Sequence, residues 1–222
     1  MKTKLIAVIH YQDDEQAIRN ADRVAAAGLD GVFLIEMSGI NTRLVPMALK
    51  IKDKHPGMLV GVNHLTLDPR NSLQINLSAN LDMTWTDFQP THSETERPDI
   101  AWDLSRTLEG TKHDLFVGVA FKHQRDEPDP VAAASRAISA GFVPTTSGPA
   151  TGVAADIERI CELRAGIGQE ADLAIASGIT PENASQFAPH LSHILVATGI
   201  SSSFHELDAT LMANLRSAVP LG

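Results

Sequence analysis

The sequence predicts an α/β protein with the fold of a single (β/α)8 TIM barrel, and three observations support this fold class. Apolar stretches of strand length alternate with amphipathic stretches of helix length along the 222 residues. Eight such strand–helix units account for the chain with no linker between them, so we expect one domain over residues 1–222. The first turn, at residues 10–13, holds no glycine, whereas an open doubly wound sheet usually has a glycine-rich turn there.

The first four units follow one another closely. The predicted strands cover residues 5–10, 31–36, 59–65 and 83–87, and the helices that follow them cover residues 14–27, 41–54, 69–79 and 98–109. In the first helix, Ala17, Ala21 and Val24 share one face, as the packing of an amphipathic helix on a sheet requires. Pro69 stands in the first turn of the third helix, where the N–H that proline lacks would have no partner.

The last four units repeat the same order. The predicted strands cover residues 115–123, 142–146, 173–177 and 193–197, and the predicted helices cover residues 129–140, 154–165, 181–188 and 204–218. Along the fifth strand, Val117, Val119 and Phe121 occupy alternate positions, so we expect all three to pack against helices. Lys122 would then project from the opposite face into the mouth of the barrel.

The composition narrows the classes of partner. The formal net charge is −9 and no cluster of Lys and Arg is present, which argues against nucleic acid as a partner. No apolar run approaches the ~20 residues of a membrane helix, so we expect no membrane span. The first apolar run meets His10 rather than a small-residue cleavage site, which predicts a strand and a cytoplasmic location. Apolar residues scattered over the helices permit a homo-oligomer.

Polar side chains close most of the predicted strands, at the end of the barrel where enzymes of this fold have their active sites. Candidates for acid–base catalysis or charge stabilisation are His10, Glu36, Asp87, Lys122 and His123. Lys122 could hold an anion, protonate a leaving group, form a Schiff base, or pair with Glu36 or Asp87 as a structural ion pair. Carboxylates and imidazoles also suit a divalent metal, but no spaced metal motif is present, so we assign no metal ligand, and a divalent metal or another cofactor stays open.

Two glycine turns near the end of the chain predict a phosphate site. Ser177-Gly178 follows the seventh predicted strand and Thr198-Gly199 follows the eighth. In (β/α)8 barrels the loops after these two strands and a helix N-terminus, here the helix from Pro181, often bind phosphate through backbone N–H groups. The alternative interpretation is two ordinary helix starts.

Further ligand-binding candidates stand after the third and sixth strands. The loop after the sixth strand has two glycines and four hydroxyl side chains within eight residues, which favours contacts to a ligand's ring, ribose or phosphate. These candidates are Asn63, Thr146, Ser147, Gly148 and Thr151. The long polar loop at residues 88–97 is either a lid, with His92 and Arg97 as its contacting groups, or a solvated surface loop.

The chain resembles the BtpA/SgcQ family of (β/α)8 barrels over nearly its whole length. The matching segments are residues 8–10, 28–32, 61–65, 121–123, 147–152 and 177–183, and the last two are the most specific. The sequence departs from the family after the first, second, third and eighth strands, around the mouth of the barrel. One member of the family is linked to photosystem I biogenesis and another is a presumed sugar-operon enzyme. A wider resemblance to phosphate-binding barrels such as phosphoribosylanthranilate isomerase implies a phosphosugar or a nucleotide-like ligand.

These observations together predict an enzyme that acts on a small phosphorylated metabolite. The reaction class stays open among isomerisation, lyase chemistry, and cleavage or transfer at a glycosidic carbon. The alternative is a non-catalytic assembly or binding protein that keeps the barrel and its phosphate loops, as a BtpA-like biogenesis factor would.

Overall fold

The computed structural model describes residues 2–95 and 97–219, so the ends of the expected domain and Glu96 lie outside the described residues. Eight parallel strands pair in sequential order, and the eighth pairs with the first. A helix follows each strand. The sheet is therefore a closed barrel surrounded by helices, which confirms the predicted (β/α)8 fold.

The strands correspond one to one with the predicted strands. They are β1 (Lys4–His10), β2 (Gly31–Ile35), β3 (Leu59–Asn63), β4 (Met83–Thr86), β5 (Asp114–Gly118), β6 (Val143–Thr146), β7 (Ala174–Ala176) and β8 (His193–Val196). Most of them end earlier than predicted, and β5 ends five residues earlier, at Gly118 instead of His123. Residues 119–123, Lys122 among them, therefore belong to the loop between β5 and the next helix.

The eight helices are α1 (Asp14–Ala26), α2 (Leu44–Lys54), α3 (Pro69–Ser78), α4 (Pro98–Leu108), α5 (Pro130–Ser139), α6 (Ile157–Ile167), α7 (Ala184–Phe187) and α8 (Ala209–Ala218). Five of them begin after an aspartate whose carboxylate accepts a backbone N–H from the first turn. These N-cap residues are Asp13, Asp68, Asp129, Asp156 and Asp208. Such caps satisfy donors that a helix leaves without a partner, and each stabilises its helix by about 1 kcal/mol.

The last three helices, α6, α7 and α8, begin later than predicted. α7 begins at Ala184 because the side chain of Asn183 closes a turn just before it: Asn183 Oδ1 accepts the Thr180 N–H at 2.9 Å and its amide donates to the Gly178 carbonyl at 2.8 Å. α8 begins at Ala209, because the segment before it forms a bridge between Ser201 and Leu207. Residues 181–183 and 204–208 therefore shape loops at the carboxyl ends of the strands.

Apolar side chains form two packed layers. The inner layer fills the barrel, where Phe33 and Phe116 meet edge to face with ring centroids 5.3 Å apart, beside Met83 and Leu195. The outer layer joins the strands to the helices. Burial of this apolar surface is the main term that stabilises the closed barrel.

A charged group lies at the amino-terminal ends of the strands, opposite the end where the site is expected. Lys4 Nζ lies 3.7 Å from Asp114 Oδ2, and His193 Nε2 lies 4.0 Å from the same oxygen. His193 is only 2% exposed, and burial lowers its pKa to about 4. Lys4, Asp114 and His193 therefore lie at the amino-terminal end of the barrel and not at its mouth.

Among residues 2–95 and 97–219, no helix is both long enough and apolar enough to cross a membrane.

Candidate functional site

A cavity of about 380 Å³ opens at the carboxyl ends of the strands. Apolar side chains make up most of its wall. The polar side chains that line it are His10, Asp87, Lys122, Thr151, Ser177 and Thr198, and the glycines are Gly152, Gly178 and Gly199. The structure thus brings three acid–base candidates, at the end of β1 and in the loops after β4 and β5, and both predicted phosphate loops to one space, as a (β/α)8 active site would require.

Asp87 follows directly after β4 and faces the cavity. Asn63, at the end of β3, donates from its side-chain amide to Asp87 Oδ1 at 3.2 Å. Desolvation by the surrounding protein raises the pKa of Asp87, although the residue stays open toward the cavity, and Asn63 and the charge of Lys122 oppose that rise. Asp87 is therefore a carboxylate whose proton affinity is above the ordinary value, as a general base needs.

Lys122 reaches the same cavity from a loop, which corrects its predicted place on a strand. The loop turns sharply after Gly118. Ala120 has a φ of 48° and His123 a φ of 59°, in the left-handed region that residues other than glycine rarely adopt. The Lys122 N–H donates to Ser147 Oγ at 2.7 Å, which anchors the turn. Burial lowers the pKa of Lys122, and the charge of Asp87 opposes this fall.

Phe121 points in the direction opposite to the prediction. Val117 and Val119 pack in the outer layer against the helices, as expected. The ring of Phe121 instead packs inside the barrel, 6.3 Å from the ring of Trp85, and lines the cavity. The alternation along a strand does not extend past Gly118, because the chain has already left the sheet there.

Two predicted catalytic residues, Glu36 and His123, do not line the cavity. The Glu36 carboxylate accepts the Ser38 hydroxyl at 2.6 Å, the Ser38 N–H at 3.0 Å and the Ile40 N–H at 2.7 Å, which lowers the pKa of Glu36. Its oxygens therefore hold the loop after β2. His123 is exposed, because the left-handed turn carries it away from the opening. We correct both assignments: neither residue is placed to act on a ligand in this cavity.

Four predicted ligand-binding residues lie behind the cavity wall. Ser147 accepts from Lys122 and donates to the Gly148 carbonyl at 2.8 Å, so both of its hydrogen bonds are structural. Thr146 is 1% exposed. Asn63 is equally buried and acts on Asp87, as described above. Gly148, whose carbonyl accepts from Ser147, is the fourth of these residues, and none of the four lines the cavity.

Each of the loops after β7 and β8 brings a glycine to the wall of the cavity. The N–H groups of Gly178 and Gly199 donate to no acceptor within the described residues, and both glycines line the opening. Directly after the strand, Ser177 stands at φ 145°, which is strained for a residue with a side chain, and Gly178 stands at φ 72°, which glycine adopts without strain. Open amides at this rim are suited to bind an anion.

The two glycines are also required for the packing of the loops. A Cβ atom on Gly178 would lie 2.3 Å from the Val153 carbonyl oxygen, and one on Gly199 would lie 2.0 Å from the Ile179 carbonyl oxygen. Any side chain at either position would therefore push the loops after β6, β7 and β8 apart. This contact explains the glycines without a ligand, and the unpaired amides are the separate feature that a ligand would use.

The predicted helix N-terminus is not part of the site. α7 is a single turn that begins at Ala184, and the chain after Gly199 forms a 3-10 turn, Thr198–Ile200. The unpaired N–H groups of Gly178 and Gly199 therefore belong to two backbone turns and not to the N-terminus of a helix.

The loop after β4 is fixed to the loop after β5. His92 is 6% exposed and its Nε2 lies 2.9 Å from the Asp126 carbonyl, and the Ser93 N–H donates to the buried Glu127 carboxylate at 2.9 Å. Arg97 pairs with Asp99 at 2.9 Å, outside the cavity. Neither His92 nor Arg97 lines the cavity, so the expected lid contacts are absent from the described part of this loop.

An aromatic pair at the mouth escaped the sequence analysis. The ring of Phe204 stacks on the imidazole of His10, with centroids 4.3 Å apart and planes 17° from parallel. Burial lowers the pKa of His10, and a hydrogen bond to the Phe204 backbone opposes that fall. The sequence predicts Phe204 as the start of the last helix. The position of this aromatic residue directly after three serines is the sequence feature that could have suggested a loop instead.

The described ranges, 2–95 and 97–219, hold no group of three or more His, Cys, Asp or Glu side chains placed to bind a metal ion. His10 and Asp87 line the cavity, but two groups do not make a metal site of the usual kind.

Fold and cavity together define a (β/α)8 barrel with acid–base side chains and open amides at its carboxyl rim. The native KDPGal structure resembles it with a TM-score of 0.73 and 17% identity, over 98% of this chain and 95% of that one. The structure of 3-hexulose-6-phosphate synthase resembles it with a TM-score of 0.71 and 15% identity, over 98% of this chain and 100% of that one. The structure of phosphoribosyl anthranilate isomerase from Thermus thermophilus resembles it with a TM-score of 0.69 and 16% identity, over 97% of this chain and 98% of that one.

At these identities the likeness establishes the fold alone. No protein-family model matches the chain, and no curated protein matches it. Membership of the BtpA/SgcQ family therefore stays a prediction.

Proposed function

We propose that this chain is an enzyme that moves a proton on a small phosphorylated metabolite. The observation that carries the proposal is the shared cavity: Asp87 and Lys122 line the same space as Gly178 and Gly199 with their unpaired amides. A phosphate held at one side would place the rest of a small molecule against the acid–base pair at the other.

The phosphate end is supported by chemistry and by analogy. Backbone N–H groups in a strained turn form a concave set of donors that favours a dianion. Two of the similar structures carry a phosphorylated sugar in their names, 3-hexulose-6-phosphate synthase and phosphoribosyl anthranilate isomerase. The hydroxyls of Thr151 and Thr198, which also line the cavity, would complete the set of donors, whereas the Ser177 hydroxyl already donates to the Ala150 carbonyl at 3.0 Å.

The acid–base end is supported by two opposite pKa shifts. The protein raises the pKa of Asp87 and lowers that of Lys122, so burial draws both groups toward their neutral forms. In the step we propose, the Asp87 carboxylate takes a proton from a carbon next to a carbonyl. The electron pair moves to the carbonyl oxygen, where Lys122 stabilises the negative charge or supplies a proton.

Isomerases and lyases share this step, since both pass through an enolate-like intermediate, and cleavage at a glycosidic carbon would use the same pair as acid and base. The reaction class therefore stays open among these three. His10 is a third candidate, because its imidazole lines the cavity and burial keeps it neutral near pH 7.

Thermal-shift measurements with a panel of phosphosugars and nucleotides, each beside its unphosphorylated counterpart, test the proposal. Binding to the native state alone stabilises it by about 2.7 kcal/mol at a ligand concentration of 100 Kd. We expect the melting temperature to rise only with the phosphorylated member of a pair. Equal shifts for both members would contradict the phosphate site.

The variants Asp87→Asn and Lys122→Met then separate binding from chemistry. We expect both to bind the best phosphorylated compound, and neither to exchange its carbon-bound protons with D2O at the rate of the unmodified protein. Lys54→Met is the matched control, since Lys54 ends α2 on the outer surface. Binding without exchange in the unmodified protein would contradict the isomerase and lyase steps and would favour glycosidic cleavage or a non-catalytic binding protein.

A further inference from the structure

We infer that the phosphorylated ligand carries a planar aromatic ring that packs on Phe204 at the mouth of the cavity. The inference rests on the proposed function and names the class of its substrate: a ribose phosphate or similar group joined to a ring, in place of an open-chain sugar phosphate.

More than half of Phe204 stays exposed at the mouth of the cavity. The residue is 57% exposed, although its ring stacks on His10 and meets the ring of His205 edge to face at 4.8 Å. An apolar ring that stays in water contributes little to folding. One face of Phe204 is supported by His10, and the ring lines the cavity. A planar group of the ligand could therefore stack against it.

The segment that carries Phe204 is held in place by hydrogen bonds to β1 and α1. His205 Nδ1 lies 3.0 Å from the His10 carbonyl, and the His205 carbonyl accepts the side-chain amides of Gln16 and, at 2.7 Å, Asn20. The Asp208 N–H closes the loop on the Ile200 carbonyl at 2.8 Å. A ring that is fixed before the ligand arrives loses little conformational entropy on binding, which is how rigid aromatic residues gain affinity.

The same loop provides both ends of the proposed ligand site. Gly199 and Phe204 are five residues apart in the segment between β8 and α8, and both line the one cavity. A ligand whose phosphate lies at Gly199 would therefore extend along this loop toward the aromatic ring.

The rest of the wall is suited to an apolar group more than to a row of hydroxyls. Trp85, Phe121, Leu65 and Ile35 line the interior side, and Met37, itself 55% exposed, lines the mouth. A polyhydroxylated chain would leave its hydroxyls without partners against these side chains, and unpaired polar groups are costly to bury. The two faces of an aromatic ring have no such cost here.

Ribose 5-phosphate and adenosine 5′-monophosphate form a matched pair of probes, because they share the ribose phosphate and differ in the ring; uridine 5′-monophosphate adds a smaller ring. Calorimetric titration should show about tenfold tighter binding of at least one nucleotide than of ribose 5-phosphate, the usual value of one aromatic stack. Phe204→Ala should abolish that difference and leave the affinity for ribose 5-phosphate within about twofold. Phe204→Tyr should restore it.

Trp102→Ala is the control, since Trp102 is equally exposed, at 60%, but lies on α4 against Arg106 and outside the cavity. Equal affinities for all three probes would overturn the ring site and leave the phosphate site standing, and so would a nucleotide preference that survives Phe204→Ala. Failure of all three probes to bind would overturn the phosphate site and the ring site together.

Discussion

Acidification from pH 7 to pH 5 should destabilise the fold through His193, and the structure sets the size of the effect. The imidazole is 2% exposed, its Nδ1 lies 2.8 Å from Ser192 Oγ, and its Nε2 has no hydrogen-bond partner within the described chain. Burial first and the charge of Lys4 second lower its pKa from 6.5 to about 4, and the charges of Asp172 and Asp30 oppose this fall. The folded protein therefore resists protonation of this residue.

The sign follows from comparing the two states. Below pH 6.5 the unfolded chain takes up a proton at this histidine, while the folded protein stays neutral until about pH 4. Its full contribution to stability is thus present above pH 6.5 and is lost as the pH falls. Since one pKa unit corresponds to about 1.4 kcal/mol, the loss is about 2 kcal/mol at pH 5 and about 3 kcal/mol at pH 4.

Urea unfolding of the unmodified protein and of His193→Gln at pH 7 and pH 5 measures this loss. The glutamine takes up no proton, so the free energy of unfolding of the variant should fall by about 2 kcal/mol less between the two pH values. His64 and His113, whose pKa values burial also lowers, contribute equally to both proteins. Parallel losses in the two proteins would refute the reasoning, and so would an NMR titration of His193 with a midpoint near 6.5.

Two further predictions concern the site. Gly199→Ala should destabilise the protein by about 3 kcal/mol, because the new Cβ atom would lie 2.0 Å from the Ile179 carbonyl oxygen. A Cβ atom at Gly57 would have no atom within 4 Å, so Gly57→Ala should change the free energy of unfolding by less than about 0.5 kcal/mol. Urea unfolding of the two variants compares these values. Asn63→Ala should raise the pKa of Asp87, because it removes the 3.2 Å hydrogen bond to that carboxylate. In the pH profile of turnover, the limb that depends on the Asp87 carboxylate should therefore move to higher pH. An unchanged profile would contradict this prediction.

The sequence carries the fold because the alternation of strands and helices is local and repeated eight times. Every strand and helix was predictable from apolar periodicity, and several helix starts from an aspartate or proline. Strand β5 was predicted too long, since the alternation of Val117, Val119 and Phe121 continues in the sequence although the chain turns at Ala120. A left-handed turn made without glycine leaves no mark in the sequence.

The site was predictable only in part. The rule that polar residues after parallel strands meet at one rim holds for His10 and Asp87, which line one cavity, and Lys122 reaches the same cavity from the loop after β5. The same rule fails for Glu36, whose carboxylate binds amides of its own loop, because a short-range hydrogen bond of this kind depends on a loop conformation that the sequence does not specify. Phe204 was missed for a related reason, since its stacking on His10 joins opposite ends of the chain.

A crystal structure with ribose 5-phosphate bound tests the central claim most directly. We predict that the phosphate will lie within hydrogen-bonding distance of the Gly178 and Gly199 amides, with the sugar between them and Asp87. A phosphate bound elsewhere, for example beside Arg97 and Arg125 in the groove outside the loop after β4, with the two amides left unpaired, would contradict the account.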